Sequence, residues 1–187
     1  LPDLLDAARL SQARVSKDLR IQARAAIEGF LQAILDNPAN AAHLRRRNRD
    51  DLACTLWQEA LILVYRLLFV LKLESAADPG RAFSFASTGL WRQALSPNQA
   101  LGKLVRRHLD QGHDTGRMLA DGLRTLFRIF ANGLSCSELS IAPLGGALFA
   151  PQSTPLLDAL HWSERAAALL IDRLLWTTPK GRERERV

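Results

Sequence analysis

The residues here whose type and density suit ionic chemistry are clustered arginines and a lysine. Arg45, Arg46, Arg47 and Arg49 form the densest group, and Lys103, Arg106 and Arg107 form a second beside His108. A guanidinium binds phosphate through charge and a two-pronged fork, and an ammonium through charge alone. Both groups are expected to contact nucleic-acid backbone, which supplies affinity without reading sequence. The competing reading is a solvated face, or an interface with an acidic neighbouring domain. A third group, Arg182, Arg184 and Arg186, is diluted by Glu183 and Glu185.

The remaining reactive side chains do not fall into catalytic spacing. His108 and His113 are five residues apart, with Asp110 and Asp114 beside them. Metal ligands on one helical face sit at i and i+4, so this segment reads as a solvated polar turn. His43 and His161 have no cysteine or histidine close in sequence. Gly145-Gly146 lacks the strand and the further glycine of a phosphate loop and reads as a tight turn. Cys54 and Cys136 lie outside any CxxC pair and read as small buried apolar side chains in a reducing, cytoplasmic compartment. No catalytic, cofactor-binding or metal-ligating set is therefore expected. An enzyme alternative would have to assemble a site from distant residues such as His108, Asp114 and Glu138.

Length and composition frame these groups. The chain has 187 residues, 48% of them apolar and 24% charged, enough for one packed domain or two small helical ones. Its formal charge of +6 favours an anionic partner and says nothing of fold. No signal peptide is apparent. The apolar run 60–71 contains Arg66 and is shorter than the roughly 20 residues that cross a bilayer, so it reads as a core helix rather than a membrane segment. The chain begins at Leu1 and its one methionine is Met118, so both ends read as cuts in a longer protein.

The elements that would position these residues are helices. Apolar positions at Leu19, Ala23, Ala26, Phe30 and Ile34 recur at helical spacing up to Asn37-Pro38, giving one long helix or two joined near 11–16. A short helix follows over 39–46. The helix over 50–75, capped by Asn48 or Asp50, is apolar nearly all round and reads as central and buried, with Glu59 or Glu74 as partner for Arg66 unless that residue faces the rim. Asp78-Pro79-Gly80 breaks it. Ser87 is expected to cap a short helix to Leu95. Ser96-Pro97-Asn98-Gln99 is a capping box that opens a helix to Leu109. A helix over 115–131 should bury Met118, Leu119, Leu123, Leu126, Phe127 and Phe130, and Asn132-Gly133 stops it. A minor strand is expected over 139–142 and a loop over 143–151. Thr154-Pro155 and Ser163-Glu164 should each open a further helix. Trp57, Trp91, Trp162, Trp176, Phe83 and Phe85 are expected to pack. The fold class is all-α, an irregular bundle of about eight to nine helices with at most a minor strand pair. The organisation is a helical N-terminal segment over 1–49, a helical core over 50–178 and an exposed tail over 179–187.

Two stretches carry a resemblance. Tyr65, Arg66, Leu67, Leu68 and Phe69, with Glu74 nearby, resemble the Tyr-Arg-Leu-Leu-Phe helix of large adenine-specific DNA methyltransferases. These are the type IIG restriction–modification enzymes and related phage-defence methylases of the BREX and DISARM kind. Gly145, Gly146, Leu148 and Phe149 are similar to the Gly-Gly-Leu-Phe loop of that family, and the Leu156-Leu157-Asp158 and Arg173-Leu174-Leu175 segments also fit. The likeness covers most of 16–187, although 76–90 departs from the family's usual acidic-basic turn. It implies a helical spacer that lies before the catalytic domain, contacts DNA backbone and packs on the neighbouring methyltransferase domain of the same polypeptide. S-adenosylmethionine would bind in that other domain, beside an Asn-Pro-Pro-Tyr motif that this chain does not contain. A free-standing basic helical nucleic-acid-binding or adaptor module is the alternative.

Overall fold

The computed structural model describes residues 2–45, 48–75, 83–112, 115–177 and 185–186. It is all-α with short antiparallel strand pairs. Arg46, Arg47, His113, Asp114, Arg182, Arg184 and the Asp78-Pro79-Gly80 breaker lie outside the described residues.

Helix α1 runs unbroken over Pro2–Leu35. Ala26, Ile27, Phe30 and Ile34 are its buried stripe, packed on α7 (Glu164–Leu175) and α3 (Arg49–Ser75). Asn37 accepts from the Ala39 amide at 3.0 Å and, with Pro38, turns the chain into a 3-10 turn and α2 (Ala41–Leu44). The buried Asn40 then ties the end of α1 to the loop before α7. Its Nδ2 donates to Ile34 O and His161 O, each at 2.9 Å, and its Oδ1 accepts from His161 N at 2.7 Å.

Asn48 caps α3 as expected, accepting from the Asp50 amide at 3.0 Å. The helix is long and apolar enough by length and composition to cross a membrane. Yet it buries Leu56, Leu63, Leu67 and Val70 within the fold, together with the charged Glu59, Arg66 and Glu74, which suits a core helix. The expectation of a central, buried helix holds for one side of it only. Trp57, Tyr65 and Phe69 stand 38%, 54% and 39% exposed. They recur on one outward stripe because the neighbouring helices cover only the other side of a 3.6-residue repeat. The packing role expected of Trp57 is corrected accordingly, whereas Phe83, though half exposed, keeps its ring 6.0 Å from that of Phe85.

Thr88, not Ser87, caps the next turn, since its Oγ1 accepts from the Trp91 amide at 3.2 Å while the Ser87 hydroxyl turns back to Ser84 O. Two π-helical turns, Trp91–Leu95 and Pro97–Leu101, lead into α4 (Gly102–Gln111). Ser96 between them accepts from the Gln99 amide at 2.8 Å, as the capping box requires, and donates to the Glu74 carboxylate. Buried Gly102 brings α4 against α7, where an added Cβ would sit 3.1 Å from a Leu175 methyl. Helix α5 (Met118–Asn132) buries Leu119, Leu123, Leu126, Phe127 and Phe130. Met118, expected on that face, is 68% exposed because it begins the helix, outside the first packed turn. Gly133 stops α5 with φ of 81°, a backbone open to glycine and strained for other residues.

β1 (Leu134–Ser135) and β2 (Ser140–Ile141) pair antiparallel, Leu134 opposite Ile141. Loop 142–150 then leads through a 3-10 turn to α6 (Pro155–Ala159) and α7. Ser163 caps α7 by accepting from the Ala166 amide at 3.1 Å. β3 (Trp176–Thr177) pairs with β4 (Glu185–Arg186), so those tail residues fold back along the end of α7. Cys54 and Cys136 are exposed, against the buried reading. Cys54 faces outward on α3 between the buried Leu52 and Leu56, and Cys136 lies in the β1–β2 turn.

Candidate functional site

The buried titratable groups are mostly committed to holding helices together. Glu59 accepts from the Leu156 and Leu157 amides at 3.1 and 2.7 Å, so a carboxylate on α3 caps the start of α6. Glu164, in the first turn of α7, does the same for α5, accepting from the Leu119 and Ala120 amides at 2.8 and 3.3 Å. Each carboxylate thus meets unpaired amides at the positive end of a helix dipole. Thr154, expected to cap α6, makes no capping bond. Its hydroxyl donates to Asp158 Oδ2 at 3.0 Å, and the α6 amides go to Glu59 instead.

Arg66 is the centre of this region. It is 3% exposed, and neither Glu59 nor Glu74 bonds it, contrary to expectation. Nε donates to Leu148 O at 2.6 Å, Nη1 to Thr154 Oγ1 at 3.1 Å and Nη2 to Ala150 O at 3.0 Å. The guanidinium also lies 5.5 Å from the Phe127 ring centre and 5.9 Å from that of Phe149. Burial pushes its pKa below the usual value, and the charges of Asp158 and Glu59 act in the opposite sense. Phe69 packs edge-on against Phe149 at 6.0 Å. Arg66 and Phe69 of the Tyr65–Phe69 segment therefore meet Leu148 and Phe149 of the Gly145–Phe149 loop directly. Gly146 turns that loop with φ of 100°, while Gly145 needs no unusual backbone. Tyr65 points outward, and Glu74 lies at the far end of α3 against Ser96.

Sequence reasoning overlooked a cleft beside this centre. It has a volume of about 680 Å³, and Arg66, Arg124, Arg128, Asn132, Phe149 and Asp158 are among its lining residues. Arg124, Arg128 and Asn132 are spaced by four, one per turn of α5, opposite that helix's apolar face. That spacing was the available signal. Arg124 is fixed at the cleft edge. It lies 4.4 Å from the Trp162 ring centre, Nη1 donates to Asp158 O at 3.0 Å, and Nη2 donates to Leu160 O at 2.8 Å. Burial likewise lowers its pKa, with Asp158 and Asp121 acting in the opposite sense.

The basic clusters named from sequence are separate from this cleft. Lys103, Arg106 and Arg107 are exposed on α4, and Arg106 lies over the Trp176 ring at 4.3 Å. Arg45 and Arg49 border an apolar groove with Leu35, Leu52 and Leu56. His108 lines a small cleft with Glu164, whereas Glu138 is exposed in the β1–β2 turn, so the structure does not place these two residues of the enzyme alternative together. Among the described residues no group of three or more metal-ligating side chains is assembled.

No protein-family model matches the chain, and no curated protein or solved structure matches it significantly.

Proposed function

We propose that this chain is a non-catalytic helical spacer from an adenine-specific DNA methyltransferase of a restriction or phage-defence system. It holds the catalytic domain in place and lies against DNA. The observation that carries this reading is the bonding of Arg66 to Leu148 O beside Phe149. The two stretches that resemble the methyltransferase family are distant in sequence and make one packing centre. Residues with such a role suit a scaffold, and the caps formed by Glu59 and Glu164 commit those buried acids to the same purpose. The exposed Lys103, Arg106 and Arg107 supply backbone contacts to DNA. S-adenosylmethionine and the flipped adenine belong to a domain further along the parent polypeptide, in the cytoplasm.

The test is the source gene. An open frame that continues past Val187 into a cofactor-binding strand and loop and an Asn-Pro-Pro-Tyr motif is the expected result. A stop codon directly after Val187 overturns it and leaves the free-standing basic module, for which the α4 stripe is the supporting feature. The isolated chain is expected neither to bind S-adenosylmethionine nor to methylate DNA, and robust methylation by it would also end the proposal.

A further inference from the structure

The α5 cleft has features that a structural role for Arg66 does not explain. Arg128 is exposed and among the described residues makes one side-chain hydrogen bond, 3.3 Å to Thr125 Oγ1 on its own helix, yet it lines the cleft with Arg66 and Arg124. Arg124 carries five N–H donors. Its bonds to the carbonyls of Leu157, Asp158 and Leu160 leave Nε without a protein acceptor among the described residues. The charge balance favours an anion. Of the two carboxylates at the cleft, Asp121 is bridged by Arg117 at 3.2 Å and Asp158 accepts from the Thr154 hydroxyl, against three guanidinium groups in the lining. Arg66 is buried and Arg124 partly so, and an anion that enters offsets the hydration Arg124 has lost more effectively than at an open surface. The volume of about 680 Å³ lies within the range of small-molecule sites, and Phe127 and Phe149 give one wall an apolar character.

We infer that this cleft binds a phosphate ester, with the anion held between Arg124 and Arg128 and the body of the ester against the Phe127 and Phe149 wall. Phosphate fits because its oxygens accept from two guanidinium groups at once, and the rigid anchoring of Arg124 lowers the ordering cost of binding. Asn132, one turn beyond Arg128, offers both a donor and an acceptor to the rest of the ligand. The ester can come from a free nucleotide or from one backbone phosphate of a nucleic-acid strand. The site needs the cleft alone and does not depend on a methyltransferase parent.

The experiment is calorimetric titration of the 187-residue chain with the four deoxynucleoside monophosphates and, separately, with a short DNA duplex. Arg128→Gln removes a surface side chain with one weak bond, so the fold should persist, and circular dichroism verifies that. Arg128→Lys keeps the charge and loses the fork. Expected is binding of at least one of the two ligands that Arg128→Gln weakens by about tenfold and Arg128→Lys by less, as for loss of a charge-assisted hydrogen bond. Arg128-dependent mononucleotide binding identifies a free nucleotide as the source. Arg128-dependent binding of the duplex alone identifies a strand phosphate. Binding of neither ligand, or binding indifferent to Arg128 in a folded variant, overturns the inference.

Discussion

Arg66 is a cation almost wholly removed from water whose direct bonds are to neutral oxygens. Its three acceptors spread over loop 142–150 and Thr154 in the geometry of one planar guanidinium. Removing it deprives two partly buried carbonyls and the buried Thr154 hydroxyl of their donor, and the damage exceeds the loss of one surface contact. Arg66→Met is expected to destabilise the fold by about 3 kcal/mol, the cost of leaving its three neutral acceptors without their donor. That corresponds to a fall in Tm of roughly 6–12 °C for a chain of this size. Arg66→Lys should recover little, because an ammonium does not reach three acceptors in one plane. Thermal unfolding by circular dichroism gives both values, and a shift below about 2 °C for either variant would contradict this account. Gly133 provides a second test at the same scale. Gly133→Ala places a Cβ 2.9 Å from Pro143 Cδ and 3.1 Å from Ile141 O, on a backbone with φ of 81°. A cost of about 1–3 kcal/mol is expected from that strain, measurable by urea unfolding.

At the scale of elements, the helices start in two different ways, and the sequence revealed only one of them. Ser96, Ser163 and Asn48 bond amides two or three residues ahead, so the cap and its helix sit together in the text. The starts of α5 and α6 are held by Glu164 and Glu59, from 44 to 98 positions away. Nothing in local spacing marks a glutamate on one helix as the cap of another, which is why Thr154 was assigned a role it does not perform. The same distance hid the partners of Arg66. The polar stripe of α5 is different, because Arg124, Arg128 and Asn132 recur at helical spacing and are legible in the sequence opposite the apolar side of that helix. Glu59→Gln tests the remote cap: the amides of Leu156 and Leu157 should exchange hydrogen faster, while the cost to the whole fold stays near ~1–2 kcal/mol. Unchanged protection at those two amides would mean that α6 holds its own start.

For the whole molecule, the charge of +6 is expressed partly as an exposed stripe on α4 and partly inside the α5 cleft. If the α4 stripe meets DNA phosphates, the affinity for duplex falls linearly with salt on logarithmic axes, and each lost contact lowers the slope by about 1. Lys103→Gln and Arg107→Gln should each have that effect whatever the duplex sequence, and fluorescence anisotropy across a salt series would show it. Binding that ignores salt would remove DNA backbone as the partner of this face. The all-α class and the order of helices were legible because apolar periodicity is a local property. Which side of α3 stays open was not, because it depends on where α1, α6 and α7 come to rest.

The order of the chain also bears on how the molecule is made. Arg66 waits 82 to 88 residues for its acceptors, Glu59 waits 97 to 98 for its amides, and Asn40 waits 121 for His161. At about 5–20 residues per second, α3 spends several seconds outside the ribosome with its ionic groups unsatisfied. A nascent chain that has not yet released Leu160 has its long helices and lacks the bonds that lock them. Ribosome-bound intermediates of that length should be cut readily by protease, and resistance should arrive late and in one step.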